Sequence, residues 1–392
     1  MAIRERLSGN EAIAIAMRQV NPDVMPAFPI TPSTEIPQYF SSYVANGQVD
    51  TIFVPVESEH SAMSACIGSE AAGARTITAT SSAGFAYMWE MLGIAASYRL
   101  PINLALVNRA LTGPININCD HSDGMGARDC GWIQIYSENN QEAYDNYIQS
   151  FRIAEHEDVR LPIMICQDGF ITSHGVENIE LLEDEEVRNF VGEYNPDNSL
   201  LNSDMPFAVG SYGNPSYYME AKRSQAEGIN KTKEVAIEVA KEYEKLSGRS
   251  YHLFEQYKLD DADYAIVVIG STAGTAKDAV DKLREEGRKV GLLKIRLYRP
   301  FPGKEIAEAL SGVKVIGIMD RAEGMSTQGG PLGADIKVAL FDNNISAKAM
   351  NFIYGLGGRD VRVENIIEVF DKLEDSHIKR DLPVYEYLSV RE

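Results

Sequence analysis

Between Ile52 and Gly84 the chain changes character four times, in an order that few folds accommodate. An apolar run (Ile52, Phe53, Val54, Val56) gives way to two carboxylates, Glu57 and Glu59. Small residues from Ala62 to Ala74 follow. A β-branched run, Thr76 to Thr80, then ends in Ser81-Ser-Ala-Gly84. The pattern predicts strand, acidic turn, tightly packed helix, strand and polar turn. In an open α/β sheet that order places acids and hydroxyls at the carboxyl ends of strands, where ligands bind. Glu57 and Glu59 also suit a plain structural role, since acids are favoured in the first turn of a helix.

Neighbouring segments repeat the theme. Ser8 to Met17 reads as a helix with Ser8 or Asn10 as its cap. Val24 to Ala27 is a short buried strand ending in Phe28-Pro-Ile-Thr-Pro-Ser-Thr-Glu35, where two prolines stiffen Ile30-Thr31 and hold the Thr31 hydroxyl. Thr31-Pro32 equally suits the start of a helix, and a helix N-terminus after a strand is also a place for an anion. Met88 to Tyr98 is helical. Leu100 to Val107 is a near-continuous apolar strand of the kind buried on both faces. Arg109 is the first charge after it and suits bidentate recognition of a carboxylate, although an isolated arginine is commonly a solvated one. His121, between Asp120 and Asp123, is a weak candidate ligand or base. Ile163 to Phe170 is a further strand.

These units predict a doubly wound domain. The region from Asn178 to Val209 reads as an extended connection without its own core, and Tyr217 to Leu246 as a helix. A second, smaller α/β domain begins near Asp260, with strands at 264–269, 290–297, 313–319 and 349–354. The expected fold class is therefore α/β, two doubly wound parallel-sheet domains divided as 1–255 and 256–392.

At 392 residues the chain can bury two or three cores. Its net charge of −20 argues against nucleic acid and anionic membranes as partners. No apolar run approaches the roughly 20 residues of a bilayer span, and Met1 to Leu7 has no signal-peptide core, so a cytoplasmic location is expected. Cys66, Cys119, Cys130 and Cys166 form no C-x-x-C pair, which excludes a locally spaced zinc or iron–sulfur site. All four are read as small buried hydrophobes. Gly68 to Gly73 has P-loop spacing, but Ala74-Arg75 stand where lysine and a hydroxyl belong. Neither G-x-G-x-x-G nor G-x-S-x-G occurs. A chain with no complete catalytic constellation points to a subunit of something larger.

Seven motifs in order, Phe28-Pro-Ile-Thr-Pro-Ser33, Val56-Glu-Ser-Glu-His-Ser61, Ala71-Ala-Gly-Ala-Arg75, Thr78-Ala-Thr-Ser-Ser82, Asn108-Arg109, Asp168-Gly-Phe170 and Arg299-Pro-Phe-Pro302, resemble the α subunit of pyruvate:ferredoxin oxidoreductase. The likeness continues through Gly355-Leu-Gly-Gly-Arg-Asp360 and so covers nearly the whole chain. It implies a pyrimidine-side thiamine diphosphate domain followed by a transketolase C-terminal-like domain, the latter organising the assembly.

The resemblance further implies that thiamine diphosphate is shared with a β subunit, which holds the diphosphate and Mg²⁺. The [4Fe-4S] clusters then lie in partner subunits, with a γ subunit, a ferredoxin-like δ subunit and external ferredoxin completing electron transfer. Pyruvate and coenzyme A are the implied substrates. Glu59 matches the family's carboxylate at the pyrimidine N1′, with Glu57 its local competitor. Thr31 and Arg109 match the substrate-binding threonine and arginine, and Pro29 and Ser82 fall at cofactor-contacting positions. No metal ligand is expected in this chain. The alternatives are another 2-oxoacid:ferredoxin oxidoreductase (2-oxoglutarate, branched-chain or oxalate) and a non-catalytic scaffold subunit. Relatives for oxalate carry arginine where Thr31 stands, so Thr31 favours a monocarboxylate. Gly324 to Pro331 is read as a plain loop, with contact to coenzyme A or another subunit as its functional alternative.

Overall fold

The computed structural model describes residues 3–196, 198–379 and 383–391. The strands of the first part are β1 (Ile3–Ser8), β2 (Val24–Ala27), β3 (Ile52–Pro55), β4 (Ile77–Thr80), β5 (Asn103–Asn108), β6 (Ile133–Tyr136), β7 (Ile163–Asp168) and β8 (Val176–Leu181). Those of the second are β9 (Phe254–Tyr257), β10 (Tyr264–Ile269), β11 (Val290–Ile295), β12 (Leu297–Arg299), β13 (Val315–Asp320), β14 (Lys348–Ile353) and β15 (Tyr385–Tyr387). Helices connect the parallel strands, which makes the protein α/β, as its alternating pattern predicts.

The first sheet runs β12-β6-β7-β5-β4, parallel apart from β12. A separate parallel pair, β2-β3, adjoins its β4 edge through a single bridge between Val24 and Thr76. Every residue of β5, β6 and β7 is buried. Helices cover both faces of a parallel sheet, which is why these strands read as unbroken apolar runs. The second sheet runs β15-β14-β13-β10-β11-β9, with only β9 antiparallel.

Three features depart from the sequence-based expectation. The 178–209 region is not a coreless connection. It contains β8, paired antiparallel with β1, and the helix Asp184–Val191, and its Ile179, Leu181, Val187 and Val191 belong to the main core. Alternating acids there mark the exposed face of an edge ribbon, which composition alone cannot tell from a loop. The 290–297 strand is two strands, and the second, β12, crosses over to join the first sheet. Cys130 is half-buried, unlike the other three cysteines.

The two parts share one hydrophobic core. Met164 and Cys166 of β7 pack in the same cluster as Ile269, Leu293, Tyr298 and Ile306. Buried charges cross the same seam. Lys294 Nζ reaches Glu142 Oε1 at 2.5 Å and Glu138 Oε2 at 2.7 Å. Asp168, at the end of β7, accepts from Ser271 N (3.0 Å), Arg321 Nη1 (3.0 Å) and His121 Nε2 (2.7 Å). Burial pushes the Asp168 carboxyl up, but His121, Arg321 and Ser271 outweigh it and hold the group below the usual carboxylate range. A lowered native pKa means that this stabilisation is complete above about 3.9, the unperturbed value, and is lost as pH falls through the folded value. Asp168→Ala strands a buried arginine, so it is expected to cost about 3–5 kcal/mol, read as a lower denaturant midpoint. An unchanged midpoint would show that this carboxylate does not hold the seam.

Candidate active site

Chain order turns back at β2. From β2 the chain moves outward to β3, then returns to the other side of β2 to lay down β4. Such a reversal opens a crevice at the carboxyl ends of the two strands. The segments that leave β2, β3, β4 and β5 there carry Thr31, Glu59, Ser81-Ser82 and Arg109.

Glu59 opens the helix Glu59–Ala71, capped by the Ser58 hydroxyl, which accepts from Ser61 N. It is only 7% exposed, and its carboxylate receives no hydrogen bond among the described residues. Gly84 lies so close that a Cβ there would sit 2.4 Å from Glu59 Oε1 and 2.8 Å from Thr80 Oγ1. Thr80 Oγ1 and the neighbouring Ser81 Oγ are buried without hydrogen-bond partners among the described residues. A buried carboxylate beside two orphaned hydroxyls is costly unless something binds them. Glu57, by contrast, is exposed, and the Ser61 hydroxyl that donates to it at 2.5 Å lowers its pKa. The two acids that local sequence leaves equivalent therefore occupy opposite environments.

Arg109 is 6% exposed. Its Nε donates to Asn116 O at 2.9 Å and its Nη1 to Thr31 O at 3.0 Å. Both partners are neutral carbonyls, and no carboxylate pairs with it among the described residues. A buried cation left uncompensated is costly, and a guanidinium's fork of donors matches a carboxylate. Thr31 precedes a cis bond to Pro32 and is exposed at the crevice mouth. Thr31 and Arg109 thus come together, and Arg109 is not a solvated surface residue.

Ser82 has φ 44, a left-handed conformation that non-glycine residues adopt at a cost. Its hydroxyl donates to Ala110 O at 2.5 Å and its N–H to Asp123 Oδ2 at 3.0 Å, so the side chain ties two loops together. Pro29 is exposed in the segment that leaves β2.

Asp123, which the sequence offered only as a neighbour of His121, proves to be the hub. It accepts from Ser82 N, Arg109 N (2.9 Å), Asn108 Nδ2 (2.8 Å) and Gly124 N (2.7 Å). It thereby joins the turn after β4 to the start of the loop after β5. Burial pushes its carboxyl up to about 6, against those hydrogen bonds. No local signal marks Asp123, because its partners lie in distant segments. His121 spends Nε2 on Asp168 and is structural in this arrangement. A separate cavity of about 330 Å³ between the two sheets is lined by Cys119, Thr272, Arg321 and Arg359. Its buried cation, Arg321, is already neutralised by Asp168, which distinguishes it from Arg109.

Comparison with known proteins bears on this geometry. The family model described as pyruvate flavodoxin/ferredoxin oxidoreductase, thiamine diphosphate-binding, matches residues 15–241. That of pyruvate:ferredoxin oxidoreductase core domain II matches residues 262–366. Pyruvate synthase subunit PorA of Thermotoga maritima is 50% identical over 99% of this chain and 98% of its own. Its counterpart in Methanocaldococcus jannaschii is 44% identical, over 94% of each chain. Ketoisovalerate oxidoreductase subunit VorA of Pyrococcus furiosus is 43% identical over 95% of this chain and 94% of its own. Among solved structures, 2-oxoglutarate:ferredoxin oxidoreductase from Magnetococcus marinus superposes with a TM-score of 0.73 at 20% identity. The match covers 95% of this chain and 65% of that one, and shares the fold.

Proposed function

Because this chain belongs to the pyruvate:ferredoxin oxidoreductase family, we propose that it is the α subunit of such an enzyme. The enzyme couples oxidative decarboxylation of pyruvate to acetyl transfer onto coenzyme A and electron delivery to ferredoxin. The observation that carries this reading is Arg109: a buried guanidinium held by two carbonyls and without a counter-ion among the described residues, beside Thr31 and at the same crevice as Glu59.

The residues fit thiamine diphosphate at its aminopyrimidine end. Glu59 offers an unpartnered carboxylate, Thr80 and Ser81 offer orphaned hydroxyls, and Gly84 leaves the space that a side chain would fill. When bound, the cofactor supplies a nucleophilic carbon and an electron sink. Glu59 holds the pyrimidine N1′ through a carboxylate hydrogen bond and shares its proton there. Arg109 pairs the carboxylate of the 2-oxoacid and fixes its direction, and the Thr31 hydroxyl donates to a carboxylate or carbonyl oxygen. Ser82 and Asp123 hold the two loops in register, and Pro29 contributes an apolar edge at the mouth.

The reading assigns the diphosphate and Mg²⁺ to a β subunit, and the [4Fe-4S] clusters to partner subunits. This chain has neither a diphosphate-binding signature nor paired cysteines. Tyr87 and Trp89, which are 59% and 53% exposed, lie on the segment beside the Glu59 helix, where the Tyr87 ring is 5.8 Å from that of His60 and Glu90 faces His60 at 3.7 Å. An apolar rim of this kind suits a covering subunit. Among the described residues no helix is long and apolar enough to cross a membrane, and a cytoplasmic location is part of the proposal.

The test is coenzyme-A-dependent viologen reduction by the complex captured anaerobically on this chain. Pyruvate, 2-oxoisovalerate, 2-oxoglutarate and oxalate are assayed side by side. Pyruvate is expected to be the best substrate. Preference for 2-oxoisovalerate would move the chain to the branched-chain enzymes represented by its VorA relative. No reduction by any of them, in a preparation containing iron and thiamine, would leave a scaffold subunit.

A further inference from the structure

The loop that follows Arg109 is tied to its own domain at its base and to the second domain at its far end. Leu111 to Ile115 and Ile117 are exposed, and the base of the loop is held by Ala110 N to Asn118 O at 3.0 Å, Leu111 N to Ser122 Oγ at 2.9 Å and Ser82 Oγ to Ala110 O at 2.5 Å. Its far end is anchored in the second domain, on the turn Leu356–Gly358 that follows β14. Asn116 Nδ2 donates to Gly357 O at 3.0 Å, Gly357 N donates to Asp120 Oδ2 at 3.2 Å, and Gly358 N donates to Cys119 O at 2.7 Å.

Both glycines are required there. They adopt φ 60 and φ 80, which side chains disfavour. A Cβ on Gly357 would sit 2.4 Å from Asn116 Nδ2, and one on Gly358 would sit 2.4 Å from Asn118 Cβ. Asn116 is also fully committed. Its Oδ1 accepts from Asn118 N at 2.7 Å and from Asn118 Nδ2 at 3.1 Å, while its own backbone carbonyl receives Arg109 Nε. One residue therefore faces the substrate arginine with its main chain and the second domain with its side chain.

We propose that the second domain sets the position of Arg109, and hence the affinity for the substrate carboxylate, through Asn116 held on the Gly357 turn. Asn116 is a positioning residue, and the second domain contributes to specificity as well as to assembly. This deepens, and rests on, the reading of Arg109 as the carboxylate receptor.

Kinetics of the assembled enzyme carrying Asn116→Ala, Gly357→Ala, both together, or Arg109→Lys test the proposal. Removing a hydrogen bond that orients a ground-state contact is expected to raise the KM for pyruvate about tenfold, with kcat within about twofold of the parent. The double variant is expected to be no worse than the poorer single one, because both changes cut the same link. Hydrogen exchange gives a readout independent of turnover: faster exchange over residues 110–120, with the core strands unchanged. If Arg109→Lys raises KM while Asn116→Ala leaves both KM and loop exchange at parent values, the second-domain link is overturned and the Arg109 reading stands. If Arg109→Lys leaves KM unchanged, both fall. Should Gly357→Ala fail to assemble, Asn116→Ala alone decides.

Discussion

Replacing Glu59 by glutamine is expected to lower pyruvate turnover by about 10²–10⁴-fold, the usual contribution of a positioned proton-sharing group, with the fold and the assembly unchanged. The structural half of that expectation follows from packing. The Glu59 carboxylate receives no hydrogen bond within the described chain, and the Ser58 cap on its helix is independent of its side chain. Glutamine has the same size and respects the close approach of Gly84. The chemical half follows because an amide neither holds nor shares a proton as a carboxylate does. Two measurements separate the halves. Bound thiamine, assayed after denaturation of the complex, should stay near the parent level, and exchange of the cofactor's reactive proton should slow in step with turnover. Glu57→Gln is the internal control: that side chain is exposed and bonded to Ser61, so its loss should change turnover little. If Glu59→Gln turned over pyruvate normally and Glu57→Gln did not, the assignment of the two acids would be reversed.

Arg109→Met is expected to reduce kcat/KM for pyruvate on the order of 100-fold or more, since a charge-assisted hydrogen bond is worth about 1.5–3 kcal/mol and a carboxylate accepts two from a guanidinium. The same substitution is expected to leave thermal stability unchanged or raise it slightly. A buried cation without a counter-ion is a burden on the free protein, and an apolar chain of similar length removes it. Activity and stability thus move independently, which is the signature of a residue kept for binding. The opposite pattern, a large loss of stability with KM unchanged, would make Arg109 a strut between Thr31 and Asn116 and would remove the central observation behind the proposed function.

Much of the architecture could be read from local pattern. The β5 and β7 runs are largely apolar without alternation because helices cover both faces of the sheet, and the first charge after the β5 run, Arg109, marks where it leaves the sheet. The 178–209 region reads as a loop because an edge ribbon with one exposed face carries as many acids as a loop does. The crossover of β12 was illegible for a different reason. It is decided by which sheet has a free edge beside Leu297 to Arg299, and that is a property of the assembled fold.

For the site, local pattern supplies the inventory: a strand–turn–helix series that sends Thr31, Glu57, Glu59, Ser82 and Arg109 to strand ends, and motifs ordered as in one enzyme family. Short-range rules suffice for that, because strand length, turn chemistry and helix starts are settled within a few residues. Which of these groups lack partners is a property of the folded chain. Glu59 is buried while Glu57 is solvated, Thr80 and Ser81 are left unsatisfied while Ser82 is consumed by Ala110, and Arg109 is held by carbonyls from Thr31 and Asn116. Burial and hydrogen-bond satisfaction depend on segments far apart in the chain, among them a glycine turn in the second domain, and no window of sequence contains both sides of such a contact.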